Sequence, residues 1–267
     1  MPGVFSLAAV ALTLASPFQS SIAPLPADVR AQLRQAHVWQ PGCPVALSNL
    51  RLLTVTHRDF DGRPQTGQLV VNKSAARPLQ RVFRRLYGLY FPIRHLQLDD
   101  AYGRAANRPT DGDVSGSFEC RRAAASPCAR ATTTKAWSNH AFGLAVDLNP
   151  VENPYVGCGQ SRNPRAQRYR DRSRHRRGMV TRQVVAAFAS IGWGWGGSWS
   201  GNTKDYMHFS PPATDCRSTV RRSQRTQRGL RDRFDGSTSH RRRSARFSLR
   251  ARPTIAGGRG RLTDARR

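Results

Sequence analysis

The sequence predicts an α+β fold in which helices flank a small antiparallel sheet. Two short segments rich in β-branched residues, 52–56 and 67–71, stand on either side of a Phe-Asp-Gly turn signal at 60–62 and predict a β-hairpin. Two later segments, 78–90 and 179–191, carry apolar residues at intervals of three and four and therefore predict amphipathic helices. We interpret the polar, small-residue stretch at 99–130 as a long functional loop.

The N-terminal region predicts an exported protein. Residues 4–15 form an apolar run of the length found in secretory signal peptides, too short to span a bilayer, although no Lys or Arg precedes it. We expect a signal peptide over 1–25, a leader or linker with a short helix over 26–39, and a location outside the cell or in its wall. The alternative is an ordinary buried helix at 4–15.

The net charge is strongly positive and unevenly placed. The 267 residues carry 44 Lys and Arg against 16 Asp and Glu, a formal net charge of +28. Seventeen arginines and only three aspartates lie in 217–267, where apolar residues are too few to build a core, so we predict a disordered basic tail over 216–267. Charge alone fits nucleic acid, anionic lipid or an acidic cell wall as the partner.

The cysteine pattern argues against a thiolate zinc site or a redox motif, because no C-x-x-C pair is present. The five cysteines are Cys43, Cys120, Cys128, Cys158 and Cys216. Export would permit one or two disulfides. Spacing does not determine the pairing; Cys120 with Cys128 and Cys43 with Cys216 are the pairings we expect.

Two short stretches contain the candidate chemistry. In the first, the alternating pattern at 144–148 predicts a buried strand that contains Asp147, and His140 precedes it. A buried carboxylate needs a salt bridge, a hydrogen-bond network or a metal. The second stretch places Asp205 three residues before His208. Two histidines and Asp147 fit a three-ligand zinc site whose fourth position is left to water, with Asp205 as the proton shuttle.

Each of these residues also has a structural interpretation. A histidine before a strand is more often structural than a ligand, and Asp147 can pair with one of the many arginines. The Trp-Gly run at 193–199 can be packing or a surface that stacks carbohydrate. The spacing is not among the strong metal signatures, so it leaves these alternatives open.

The motif S-x-H-x-x-G-x-A-x-D is met by Ser138, His140, Gly143, Ala145 and Asp147. With this motif the chain resembles the zinc D-alanyl-D-alanine carboxypeptidases and their relatives, the L-alanyl-D-glutamate endopeptidases of phage lysins and the D-Ala-D-Ala dipeptidases of vancomycin resistance. The similarity extends over about 40–212 and includes short stretches at 118–121 and 205–209. It implies a hedgehog-like or D,D-peptidase-like zinc fold, with a catalytic domain over 40–215.

The resemblance also implies a role for individual residues. The implied Zn²⁺ ligands are His140, Asp147 and His208. Asp205 is implied as general base and then general acid, and Arg121 as a group that binds substrate or stabilises the oxyanion. Ser138 is implied as a hydroxyl beside the metal that supports it or binds substrate. Trp193 and Trp195 are implied as substrate-binding walls of the pocket, although they and Trp199 can equally be core residues.

The function that follows is a zinc metallopeptidase acting on peptidoglycan stem peptides, with D-alanyl-D-alanine carboxypeptidase activity as the first expectation. An L-alanyl-D-glutamate endopeptidase is the alternative within the family, and a non-catalytic basic wall-binding module is the alternative outside enzymes. We expect a monomer whose partners are stem peptides, with anionic wall polymers bound through the tail and no specific nucleic acid.

Overall fold

The computed structural model describes residues 16–98, 114–124, 133–157 and 164–212. All of them belong to one compact unit, residues 1–221. The predicted signal-peptide core at 4–15, most of the predicted loop at 99–130 and the predicted tail at 216–267 lie outside the described residues. Cys128, Cys158 and Cys216 lie outside them too.

The described residues form helices and many short strands. The helices are α1 (Ala27–Gln35), α2 (Lys73–Gly88) and α3 (Arg182–Ala189). The strands are β1 (Ser20–Pro24), β2 (Leu50–Arg58), β3 (Pro64–Asn72), β4 (His95–Leu96), β5 (Val114–Ser115), β6 (Arg122–Ala124), β7 (Thr133–Trp137), β8 (Val146–Asp147), β9 (Tyr155–Val156), β10 (Gly194–Trp195), β11 (Lys204–Asp205) and β12 (His208–Ser210).

Antiparallel pairing dominates the described sheets. One sheet has the order β1-β2-β3 and a second the order β10-β12-β8. β9 pairs with β11 and β6 with β7, both antiparallel, whereas β4 and β5 are parallel. Small antiparallel sheets with a few helices confirm the predicted mixture of helix and sheet. That this is a D,D-peptidase-like zinc fold stays a prediction.

The predicted hairpin is present and longer than the sequence indicated. β2 and β3 pair from Leu50 opposite Asn72 to Arg58 opposite Pro64. In the turn, one carboxylate oxygen of Asp59 accepts hydrogen bonds from the backbone N–H groups of Asp61 and Arg63. These side-chain hydrogen bonds satisfy backbone N–H groups where the pairing of the two strands ends, and they stabilise the turn.

The first predicted helix begins earlier than the apolar spacing over 78–90 indicated. The helix instead begins at Lys73, because the side chain of Asn72 accepts a hydrogen bond from the backbone N–H of Ser74 and caps it. Pro78 therefore lies inside α2. The second predicted helix is α3, which Thr181 caps through the N–H of Val184.

The β2–β3 hairpin separates two hydrophobic cores. Leu53 and Val55 face the larger core, which α2 and α3 complete, while Leu50 and Leu52 face a second core with α1. Successive strand residues point to opposite faces of a sheet, so one hairpin serves both. Residues beside the candidate ligands, including Val146 and Phe209, are fully buried in the larger core.

The N-terminal segment expected as leader and linker is packed onto the sheet. β1 pairs with β2 from Ser20 opposite Val55 to Pro24 opposite Arg51. Val29 of α1, within the expected linker at 26–39, is buried in the second core. Cleavage after residue 25 would remove β1 from the sheet. The packing of β1 therefore favours a cleavage site before residue 20 for any leader that is removed. Among the described residues, no helix combines the length and apolar character needed to cross a membrane.

Deleting 16–24 is expected to lower the melting temperature by about 10 °C. The deletion removes β1 and the aromatic ring of Phe18, which packs on the larger core, and it exposes the edge of β2. Losing this strand and its apolar contacts costs about 3 kcal/mol. The measurement is thermal unfolding followed by circular dichroism, with a deletion of 1–15 as the control. Equal melting temperatures for the two deletions would show that β1 contributes nothing to stability.

The disulfide differs from both expected pairings. Cys43 is bonded to Cys120, 77 positions further along the sequence, and their Cα atoms are 5.8 Å apart. The expected pairs Cys120–Cys128 and Cys43–Cys216 are therefore wrong. The two cysteines meet because the chain after α1 and the segment before Arg121 both pack on the second core. Sequence spacing contains no information about this contact.

Candidate metal centre

Two of the predicted ligands face each other across a pair of strands. Asp147 in β8 stands directly opposite His208 in β12, and the neighbouring pair is Val146 opposite Phe209. Because Val146 and Phe209 are fully buried, the side chains of the next pair project to the other face of the sheet. The core thus fixes the register that brings the carboxylate and the imidazole together.

The third predicted ligand comes from a short turn of 3-10 helix, Asn139–Phe142. The hydroxyl of Ser138 caps this turn by accepting a hydrogen bond from the N–H of His140, at 3.3 Å. Gly143 ends it with φ of +65°, and a Cβ there would lie 2.6 Å from the backbone nitrogen of Asn72. Only glycine fits this position. Ser138 therefore supports His140, and its binding of substrate stays a prediction.

The three side chains form a small triangle of possible ligand atoms. His140 Nε2 lies 3.1 Å from His208 Nδ1 and 3.3 Å from one oxygen of Asp147. His208 Nδ1 lies 3.1 Å from the other oxygen of Asp147. Ligand atoms bound to one zinc ion at 2.0–2.1 Å in a tetrahedron are about 3.3 Å apart. The three separations, which involve both oxygens of Asp147, are close to this spacing, and one ligand atom from each residue lies within 4.8 Å of the others.

Hydrogen bonds outside the triangle orient both imidazoles. His140 Nδ1 lies 2.5 Å from the carbonyl oxygen of Ser117, which can only accept, so Nδ1 carries the proton and Nε2 offers a lone pair. His208 Nε2 lies 3.0 Å from the hydroxyl of Ser210, which also accepts from the side-chain amide of Asn139. When the imidazoles are unprotonated, His140 Nε2 and the carboxylate of Asp147 both present electron pairs to the centre of the triangle. A shared proton or a metal ion is needed among them, and this donor set fits zinc.

The electrostatics keep Asp147 available as a ligand. Burial alone would raise the pKa of its carboxyl group. The positive charges of protonated His140 and His208, and the hydrogen bonds that they donate, outweigh burial and hold this pKa well below its usual range. The carboxylate is therefore ionised at neutral pH, which is the form that binds a cation.

Asp205 has the opposite electrostatic behaviour. It lies in β11, paired with Tyr155 of β9, and its Oδ1 atom is buried without a hydrogen-bond partner among the described residues. Burial, followed by the negative charge of Asp147, raises the pKa of Asp205 to about 7, although His208 and Arg121 oppose the rise. A carboxyl group with this pKa can accept and return a proton near neutral pH.

A glycine allows Asp205 to approach the turn that follows β10. A Cβ at Gly196 would lie 2.4 Å from the backbone oxygen of Asp205 and 2.9 Å from its Cβ. No larger residue fits between these segments without moving the strand. The Trp-Gly run therefore contributes to the site through its glycine as well as through its indoles.

Arg121 lies close enough to the site for its charge to lower the pKa of Asp205. Its Nε atom forms an ion pair of 2.7 Å with Glu119, and nearly half of its side chain is exposed to solvent. The backbone around it is tied to the metal-ligand turn, since Glu119 N–H donates to His140 O and Ser138 N–H donates to Arg121 O. The sequence did not indicate a role for Glu119, although it stands two residues before the predicted arginine.

The three tryptophans of the Trp-Gly run differ in their exposure to solvent. Trp193 is only 7% exposed and stacks on Phe188 in the larger core, which agrees with the core alternative, and its binding of substrate stays a prediction. Trp195 is half-buried and donates a hydrogen bond to the backbone oxygen of Tyr206 at 2.8 Å. Trp199 is 44% exposed, with its ring centre 5.8 Å from that of His208. Trp199 is therefore the tryptophan best placed to contact a substrate.

A half-buried arginine contacts the segment that carries Asp205, and sequence reasoning missed it. The guanidinium of Arg172 stacks 4.6 Å from the ring centre of Tyr206 and donates to the backbone oxygen of Glu152 at 3.0 Å. It also donates to the side-chain oxygen of Asn153. Burial lowers the pKa of Arg172. Within a segment dense in arginines, the sequence contains no signal that separates this residue from exposed neighbours.

Comparison with known families agrees with this geometry. Residues 131–211 match the family model of D-alanyl-D-alanine carboxypeptidase. This segment is similar to that family. The match covers less than a third of the chain, and it contains the three predicted ligands and Asp205 but not Arg121. No curated protein and no solved structure matches the chain. The family is zinc-dependent, and His140, Asp147 and His208 are a cluster that could bind a metal ion.

Proposed function

We propose that this protein is a zinc-dependent hydrolase of peptidoglycan stem peptides, and that its main activity is removal of a terminal D-alanine. The observation that carries the proposal is the triangle of His140, Asp147 and His208 next to a carboxyl group whose pKa is about 7. A zinc ion held there supplies a Lewis acid for a peptide carbonyl and lowers the pKa of water.

The side chains around the triangle divide the remaining work. Asp205 takes the proton of the attacking water and returns it to the departing amine, because its raised pKa suits both directions of transfer. Arg121 presents a half-exposed guanidinium, which suits either the developing oxyanion or the terminal carboxylate of a carboxypeptidase substrate. Glu119 orients this guanidinium through their ion pair.

Export to the cell wall is part of the proposal. The Cys43–Cys120 bond is of the kind that persists in oxidising compartments, which supports a location outside the cytoplasm. We propose that any cleaved leader ends before β1 and that the catalytic domain extends from β1 to about residue 215.

The test is incubation of purified muropeptides with the zinc-loaded protein, with the products identified by mass spectrometry. Loss of one terminal D-alanine from a pentapeptide stem is the expected result. A cut after L-alanine would replace the carboxypeptidase proposal with the endopeptidase. No cleavage, together with retained binding to wall fragments, would replace it with the binding module.

Trp199→Ala is expected to raise KM about tenfold with little change in kcat. The indole is exposed beside His208, so its loss removes contact area for the substrate without disturbing the ligands. Trp193→Ala is the comparison, because its loss from the core is expected to cost about 3 kcal/mol of stability. Steady-state kinetics and thermal unfolding of both variants separate the two roles. An unchanged KM in Trp199→Ala would exclude it from the binding site.

A further inference from the structure

The exposed side of α2 is a row of positive charges. We call its members the α2 basic row: Lys73, Arg77, Arg81, Arg84 and Arg85. The helix contains no acidic residue. Its opposite side is fully buried in the larger core through residues such as Leu79 and Phe83. The row is therefore the whole charged surface of this helix.

The row is unfavourable for the helix that carries it. Lys73, Arg77, Arg81 and Arg85 follow one another at intervals of four residues, the spacing at which like charges on a helix repel. Lys73 stands at the first helical position, where the helix dipole favours an acid. Among the described residues, no carboxylate forms an ion pair with any member of the row, although the guanidinium of Arg84 lies 5.5 Å from the ring centre of Phe18. Repulsion between like charges that no ion pair relieves is typical of a functional surface.

The row is also preformed. Asn72 caps the helix, and seven of its sixteen residues are buried. At 1.5 Å per residue, the row extends for about 18 Å, with one cation or more on each turn. A rigid helix holds these charges in place before any partner arrives, so binding orders few groups on the protein side.

We propose that the α2 basic row docks a linear anionic polymer of the cell wall, a chain of repeating phosphodiesters. The choice of a wall polymer rests on the proposed function, which places the protein at the wall. A flexible phosphodiester chain can bring a phosphate to each turn of the helix. The row is distinct from the candidate metal centre, and it retains the enzyme near its substrate.

Other polyanions fit the row less well. A helix that lies on a membrane needs a free apolar face, whereas the apolar face of α2 is in the core. Single-stranded nucleic acid is held through aromatic side chains that stack its bases, and the row contains none. Half of the helix circumference packs on the sheet and α3, which leaves a shallow surface and not a helix free to enter a groove of duplex DNA.

The test compares two full-length variants with the same change of charge. One replaces Arg77, Arg81 and Arg85 with Gln. The control replaces three exposed arginines outside α2, Arg30, Arg174 and Arg177, with Gln. The probe is purified poly(glycerol phosphate), with affinity measured over a series of salt concentrations. The α2 variant is expected to lose about tenfold in affinity at low salt and to show a shallower salt dependence, because fewer phosphates are neutralised. The control is expected to lose less than about twofold.

Three results would overturn the proposal. Equal losses in the two variants would show that net charge alone determines affinity, and no loss in the α2 variant would show that the row is not the binding surface. A larger loss for duplex DNA than for the polymer would assign the row to nucleic acid. Hydrolysis of soluble muropeptides is measured in parallel and is expected to be unchanged by the α2 substitutions. Absence of hydrolysis in every variant would overturn the proposed function, whereas the polymer affinities still decide the docking proposal.

Discussion

Asp205→Asn is expected to reduce kcat about 10³-fold and, in the metal-free protein, to raise stability above neutral pH. The loss of rate follows from removing the group that transfers the proton, a contribution of about 10² to 10⁴-fold in enzymes generally. Asparagine keeps the shape of the side chain but cannot ionise. Both effects thus come from the same property of Asp205, a carboxyl group that is costly to ionise where the fold places it.

The sign of the stability effect follows from the direction of the pKa shift. Burial and Asp147 raise the pKa of Asp205 to about 7, above its value in the unfolded chain. The fold therefore prefers the protonated form, and the free energy of unfolding falls as pH rises through the interval between the two values. The neutral side chain of Asp205→Asn removes this loss, which we expect to be about 2 kcal/mol at pH 8 for a side chain that is still partly exposed.

Urea unfolding of the metal-free proteins at pH 5 and pH 8 checks this expectation. The variant should be more stable than the unsubstituted protein by a smaller margin at pH 5, where Asp205 is protonated in the fold and ionised only in the unfolded chain, than at pH 8, which lies above both pKa values. Asp61→Asn, at an exposed carboxylate in the hairpin turn, is the matched control and is expected to change neither kcat nor stability. If Asp205→Asn keeps its activity, another group transfers the proton.

β-branched segments around a turn signal were sufficient to predict the hairpin, and hydrophobic periodicity was sufficient to predict the amphipathic helices. The apolar residues of β2 face two cores, and the helical spacing in α2 and α3 corresponds to one buried side each. The start of α2 was missed because a single side-chain cap, Asn72, decides it. The disulfide and the packing of β1 were missed because they depend on which surfaces meet in the folded chain.

The site was predicted through its motif, and the structure adds what the motif leaves out. His140, Asp147 and His208 do converge, as the resemblance implied. The groups that orient the two imidazoles are a backbone carbonyl at Ser117 and a hydroxyl at Ser210, and neither has a sequence signature. The sequence also could not show which tryptophan is exposed at the site. Trp193 and Trp199 have similar glycine- and serine-rich neighbours, yet one is in the core and the other faces His208.

Zinc is expected to raise the melting temperature of the protein by about 5–10 °C and to have no such effect on His140→Ala. A ligand present at 100 times its dissociation constant stabilises the folded state by about 2.7 kcal/mol, which in a protein of this size corresponds to that shift. His140→Ala removes the lone pair that Ser117 orients toward the triangle and leaves only two ligands. The variant is also expected to have no measurable peptidase activity.

Differential scanning calorimetry with and without zinc, and after chelation, provides the measurement. His175→Ala is the matched control, since this imidazole is exposed in the segment before α3 and lies outside the triangle. The zinc-dependent shift should be present in the control and should disappear when a chelator is added. A shift of equal size in His140→Ala would show that zinc binds elsewhere.

Acidification separates the roles of the imidazoles and the carboxylate in this zinc effect. Neighbouring imidazoles hold the pKa of Asp147 well below its usual range, so this carboxylate stays ionised in mild acid. Zinc binds only the deprotonated form of a ligand, so protons compete with the metal for the imidazole nitrogens. The zinc-dependent shift in melting temperature should therefore decrease in mild acid, while Asp147 still carries its charge. A shift that persisted to about pH 4 would mean that carboxylates, and not His140 and His208, hold the ion.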